Sequence, residues 1–136
     1  MAQAPVRQYD PKDVSINCGG MIITGVADGT FVSCEKVEDT YIPYTGSQGE
    51  VVRAHNAHPS GRITFTLDHS SPSNPHMTGL ANSSDMFPCK VVDMNSDSQQ
   101  SAGGSECWVE KHANFERAGE VGDIEWVIYV ADYEIL

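Results

Sequence analysis

Positive charge is scarce in this sequence: 8 Lys and Arg stand against 19 Asp and Glu, a net charge of −11. Such a surface repels phosphate backbones, and the basic, aromatic-lined grooves of nucleic-acid readers have no counterpart here. Long apolar runs are also missing. No stretch approaches the roughly 18 residues that a membrane-crossing helix needs. The opening MAQAPVRQYD has no apolar segment of the secretory kind, so the chain is expected to be made and kept in the cytoplasm.

Cysteine is sparse and scattered. Cys18, Cys34, Cys89 and Cys107 form no C-x-x-C and no zinc-like spacing, and in a cytoplasmic chain they are expected to be free, mostly buried thiols. The motifs that announce chemistry are absent as well: no G-x-S-x-G, no P-loop, no G-x-G-x-x-G. Gly19-Gly20 and Gly103-Gly104 are too bare to cradle a phosphate. His55 and His58 are the most ligand-like pair, but no third ligand is spaced to join them. Asp68-His69-Ser70-Ser71 holds the residue types of a hydrolase triad, yet triads are assembled by folding, and Ser70 to Asn74 has a simpler use in capping a helix. No catalytic residue, metal site or cofactor is expected.

What the sequence does have is β-strand pattern in a single domain large enough to bury a core. Arg62 to Leu67 alternates cleanly, with Ile63, Phe65 and Leu67 on one side and Arg62, Thr64 and Thr66 on the other. Asp123 to Leu136 is the strongest run: β-branched and aromatic residues fill both alternating sets in its first half, the pattern of a strand covered on both faces. Glu106 to Arg117 also reads as a strand, joined to it through the turn Ala118 to Gly122 as a closing hairpin at the centre of the fold. Further strands are expected at 13–17, 21–26, 30–37, 49–55 and 86–92, with loops at 39–48 and 95–105. Met77 and Leu80 share one face of the single short helix, His76 to Asn82.

These readings give a mostly β protein: an antiparallel β-sandwich or partial barrel with one short flanking helix and a long protruding hairpin, Thr30 to His55. Residues 1–12 form an extended arm and 13–136 the domain. The expected core is Ile63, Phe65, Leu67, Trp108, Trp126, Ile128 and Val130. Tyr41, Ile42 and Tyr44 sit at the hairpin tip, to be tucked back on the domain or buried in a neighbour.

One ordered set of short motifs goes further. Gly49-Glu-Val-x-Arg53, Asn56, Gly61-x-Ile63, a threonine-rich strand and Ser71-Pro-Ser-Asn74 are followed by Lys90-Val-Val-Asp93, Cys107-Trp-Val-Glu-Lys111, Phe115-Glu-Arg117 and Glu125-Trp126. From about Val14 onward this resembles the tail-tube proteins of contractile-tailed bacteriophages, which are related to the tube proteins of type VI secretion systems. The resemblance implies six-fold rings that stack into a tube, with two hairpins per subunit lining a channel for the genome. It also implies a virion location, reached from the host cytoplasm. The implied partners are further copies of the chain, a sheath protein, a tape-measure protein and a baseplate initiator, with DNA passing unbound and no membrane.

On that reading the acidity becomes a wall to which DNA does not stick. Glu35, Glu38, Asp39 and Glu50 are the candidate channel-facing charges, against the plainer reading of an ordinary solvated surface. Tyr41, Ile42, Tyr44 and the arm residues Pro5, Val6 and Tyr9 are candidate subunit contacts. Lys36, Arg53 and Arg62 run against the idea if they face the channel unpaired. Two other readings stay open: a monomeric β-sandwich binding or adaptor module, of baseplate or capsid-decoration type, and a small hydrolase using His55, His58 or His69.

Overall fold

The computed structural model describes residues 6–27, 29, 31–96 and 98–136. Its strands are β1 (Val14–Cys18), β2 (Met21–Ile22), β3 (Val32–Lys36), β4 (Tyr41–Thr45), β5 (Val51–His55) and β6 (Gly61–Asp68). Helix α1 (Ser73–Asn82) follows, then β7 (Phe87–Asp93), β8 (Gln100–Val109), β9 (Asp123–Val130) and β10 (Glu134–Ile135). The main sheet is antiparallel, in the order β2-β1-β7-β8-β9-β6-β3, with β10 added on β8. The mostly β, sandwich-like class expected from the sequence is the one observed, with one α-helix and no closed barrel among the described residues.

Period-two alternation builds the core. Ile63, Phe65 and Leu67 of β6 are fully buried, beside Trp126, Ile128 and Val130 of β9 in matching register. Met77 of α1 is buried against the same cluster, and Leu80 packs at its edge. The helix starts at Ser73, three residues before its expected start. Its entry is tied down by Ser71, whose hydroxyl accepts from Ser73 N at 3.2 Å and donates to the carbonyl of Thr24.

Several expectations are corrected. Trp108 is not core. Cys107 points inward, so Trp108 points out, 40 % exposed, where it stacks on Tyr129 at 4.9 Å. Strand β9 is fully covered on one face only, since Val127 and Tyr129 are half-buried and Glu125 is exposed. The strand expected over 106–117 ends at Val109, and 110–122 is irregular. Gln100 to Ser105, expected as loop, is strand, because backbone pairing to β7 and β10 supplies what its small polar side chains do not. Of the strand expected over 21–26, only Met21–Ile22 pairs as a strand; Val26 makes one isolated bridge to Leu67.

The cysteines divide differently from expectation. Cys18 and Cys89 face each other in the β1–β7 register, 4.3 Å apart at Cα, and form a disulfide. Cys34 and Cys107 are free, and burial pushes each thiol up to about 11.

A candidate assembly surface

Strand β3 does not pair with the segment that returns to His55. It pairs with β6, Lys36 opposite Gly61, while β4 pairs with β5, Tyr41 opposite His55. The two pairings follow one another along the chain, in separate sheets, so the protruding hairpin is longer than Thr30 to His55. It runs out through β3 and β4, turns at Gly46 to Gly49, and returns through β5 and β6. Four residues (37–40) face five (56–60) at its neck, a one-residue bulge that separates the outer ribbon from the main sheet. Tyr41, Ile42 and Tyr44 therefore lie along a strand, not in a tip loop.

Pro43 does not break that strand. Gly46 N donates to Glu50 O and Asn56 N to Thr40 O, which fixes the hydrogen-bonded pairs at even positions of β4. Residue 43 falls in a non-hydrogen-bonded pair, where an N–H would point away from β5, so its absence costs the ribbon nothing.

Cross-strand pairing sorts the ribbon into two faces. One carries Tyr41, Pro43, Thr45, Val51, Arg53 and His55. On it the Arg53 guanidinium lies 3.9 Å over the Tyr41 ring, and His55 meets that ring edge-on. The other face is Ile42, Tyr44, Val52 and Ala54, apolar throughout and exposed. A lone two-stranded ribbon is marginal in water.

The candidate channel charges Glu35, Glu38, Asp39 and Glu50 are all exposed on this hairpin. Glu38 accepts from Asn56 Nδ2 at 3.2 Å, across the neck. The three cations that ran against a repulsive wall are each engaged by their own chain: Arg62 pairs with Glu110 at 3.1 Å, Lys36 donates to Thr40 Oγ1 at 3.0 Å, and Arg53 is stacked on Tyr41.

The arm is anchored where it meets the domain. Asn95 is buried, its Oδ1 accepts from Asp10 N and its Nδ2 donates to Asp10 O. Asp10 in turn caps the short 3-10 helix Pro11–Asp13. Before it, Val6 is 99 % exposed and Tyr9 is exposed too. Pro5 lies outside the described residues.

Sequence reading missed a cleft at the far end of β6. About 760 Å³ in volume, it is lined mainly by apolar groups of the α1 entry, the 110–122 connection and the start of β9, among them Pro72, Pro75, Phe115, Ile124 and Trp126. Phe115 is 83 % exposed, with Arg117 held 4.2 Å over its ring. The hint in the sequence was Phe115 itself, an aromatic inside a polar stretch.

The hydrolase residues do not converge as a triad. His69 Nδ1 accepts from Gly122 N, where a triad needs it to donate to a carboxylate, and His55 sits out on the ribbon. No group of three His, Cys, Asp or Glu side chains is placed to hold a metal ion among the described residues.

No family model matches the chain. It is 34 % identical over 58 residues to structural protein ORF10 of Pseudomonas phage KPP10, a match that takes in 43 % of this chain and 34 % of that protein, so the chain spans about a third of that relative's length. In fold it is similar over nearly its whole length to the sheath/tube terminator of the PVC extracellular contractile injection system (10 % identical, 98 % of this chain and 99 % of that one, TM-score 0.65). The tube-terminating cap of the anti-feeding prophage is comparable (10 % identical, 100 % and 95 % covered, TM-score 0.66). So is a chain of the PVC sheath-tube complex in the extended state (11 % identical, 95 % and 91 % covered, TM-score 0.61).

Proposed function

We infer that this chain is a structural subunit of a contractile, phage-tail-like particle, and not an enzyme. The observation that carries the reading is the near end-to-end likeness in fold to tube-terminating and sheath-tube chains of such particles. The finer reading is a tube subunit: hexameric rings stacked around an acidic channel, inside a sheath, started by a baseplate initiator, first holding a tape-measure protein and then passing DNA.

Three features support the finer reading. The ribbon offers an apolar face with no cover among the described residues, as a subunit that completes itself by association would. Val6 and Tyr9, just before the anchor at Asp10, are exposed and open to a neighbour. A net charge of −11, with Arg62 paired to Glu110, suits a wall along which a polyanion slides, while Lys36 on a hydroxyl and Arg53 on an aromatic ring keep their charge and count against it.

The likeness to two terminating proteins favours a second reading, a ring that ends a tube instead of repeating along it. Electron microscopy of the purified chain across a concentration series separates the readings. Hollow filaments of uniform bore mean a repeating subunit and discrete rings a terminator, while monomers at every concentration, persisting when a baseplate initiator is supplied, mean an adaptor. Replacing Tyr41 and Tyr44 with Ser should give folded chains that form no tubes; normal tubes from that variant would remove the ribbon from the assembly surface.

A further inference from the structure

Two sulfurs meet at the weak end of the β1–β7 ladder. Gly19 N donates to Pro88 O and Met94 N to Asp13 O, which fixes the hydrogen-bonded pairs at odd positions of β1. Cys18 and Cys89 therefore face each other in a non-hydrogen-bonded pair, where side chains stand closest. The next pair, Gly19 with Pro88, makes one bond instead of two, because proline has no N–H to return. On its other side β7 is irregular against β8 between Phe87 and Cys89. The disulfide sits where backbone pairing is thin on both sides.

We propose that Cys18 and Cys89 form a reversible redox staple: as two thiols they let the end of β1 open, and as a disulfide they clamp it to β7. The proposal goes beyond the tail-subunit reading and does not depend on it.

Strand β1 has little else to hold that end. Among the described residues its other strand partner is the two-residue β2, through Asn17 and Cys18. Its start is tied by the Asp13–Met94 bond and by Asp10 on Asn95. Its end rests on α1, where His76 Nε2 lies 2.9 Å from Cys18 O and Gly19 sits close against Leu80. Opening at Cys18 therefore frees the turn Gly19-Gly20 from its seat on the helix, while the Asp10 end stays anchored.

Closing the staple needs an oxidant, and a small-molecule disulfide of the glutathione type supplies it. One protein thiolate attacks that disulfide, expels a glutathione thiolate and leaves a mixed disulfide. The second attacks the protein sulfur of the mixed disulfide and expels the other glutathione. Two protein thiols are oxidised, one glutathione disulfide is reduced to two thiols, and the two protons pass to the leaving thiolates. Cys18 and Cys89 are both fully buried, so the reagent reaches them only while β1 is open. A third inward sulfur, Cys107, lies beside the Cys89 backbone. Its thiol donates to Gly104 O and burial keeps it protonated, so it does not compete for the bond. A reducing cytoplasm favours the open form and an oxidising medium the closed one.

The test incubates the full chain in glutathione buffers of graded reduced-to-oxidised ratio at neutral pH. Acid quenching, unfolding and maleimide labelling then locate the free thiols by peptide mass spectrometry, and amide exchange is followed in the same samples. Cys18 and Cys89 should lose their labels together at one ratio and regain them when the ratio is reversed. Cys34 and Cys107 should stay labelled throughout. Closing should slow exchange over Val14 to Gly19 by at least about tenfold more than over β6 and β9. A chain carrying Cys18→Ala with Cys89→Ala should exchange like the reduced chain at every ratio; if it does not fold, the wild-type titration decides alone.

Labels lost at Cys34 or Cys107 instead, or a bond that excess reduced glutathione does not open, would overturn the staple as a switch. So would equal exchange over Val14 to Gly19 in the two forms. None of these outcomes touches the tail-subunit reading, which stands on the likeness in fold.

Discussion

The indole N–H of Trp126 donates to Oδ1 of Asn74 at 3.0 Å, a buried bond between side chains 52 positions apart. It joins the middle of β9 to the first turn of α1, and Asn74 spends its own amide protons on the carbonyls of Asp68 and His69. One side chain thus locks helix, sheet and the end of β6 together beneath the cleft.

Asn74→Ala should leave the buried Trp126 N–H without its partner, a loss of about 2 kcal/mol in urea denaturation. Because Asn74 helps line the cleft, the same variant should also loosen Phe115, seen as faster amide exchange over 112–117 than elsewhere. Uniform exchange behaviour would mean the loop does not depend on this bond.

Gly103 and Gly20 make a controlled pair, both at positive φ. A Cβ at Gly103 meets the carbonyl of Cys89 and lies 2.8 Å from Lys90 Cα, both backbone atoms that cannot move without breaking the β7–β8 ladder. At Gly20 nothing stands within 4 Å. Gly20→Ala should cost about 1–2 kcal/mol through conformation alone. Gly103→Ala should cost more than about 3 kcal/mol and lower the melting temperature visibly. Equal costs would contradict the close β7–β8 approach.

These glycines mark where the sequence was legible and where it was not. Ile63, Phe65 and Leu67 announced themselves because a half-buried strand imposes period two on its side chains. Gly103 and Gly104 announced nothing. Their strand is held by backbone pairing on both sides, and small residues are there because neighbours come too close for larger ones. Pro43 misled for a related reason: proline reads as a breaker unless one knows which hydrogen-bonding edge it faces. The partition of Trp108 outward and Cys107 inward depends on a register set by β9, and composition does not contain it. The protruding hairpin was visible as alternation, but its return arm was misassigned because only tertiary pairing shows that β3 answers to β6. The cleft needed two distant segments to meet, so only Phe115 hinted at it.

Asp132 supplies a pH prediction. Its carboxylate accepts from the Ser105 hydroxyl and from the backbone N–H groups of Ser105 and Glu106, and these bonds, the Ser105 hydroxyl foremost, hold it below its ordinary 3.8. A depressed carboxylate stabilises the fold above its unfolded value, and that contribution is lost as pH falls through the folded value. Asp132→Asn lacks the contribution at every pH. The difference in denaturation midpoint between wild type and Asp132→Asn should therefore be full at neutral pH and shrink as pH drops below about 4. A gap that stays constant into acid would show that Asp132 acts by shape and not by charge.

The channel charges can be tested without waiting for assembly to be mapped. If Glu38, Asp39 and Glu50 face the lumen, Glu38→Lys with Asp39→Lys and Glu50→Lys changes the wall by six charges per subunit while touching no residue of the apolar ribbon face. Tubes should still form. DNA, which wild-type tubes should leave unbound, should now be retained, with an affinity that falls steeply as salt rises, because phosphate neutralisation releases counterions. In a particle, the same variant should slow genome release without lowering tail number. A variant that forms tubes yet binds no more DNA than wild type at low salt would place these acids on the outside. Their role would then be to set the surface offered to a sheath, and the low stickiness of the channel would have to come from acids elsewhere on the chain.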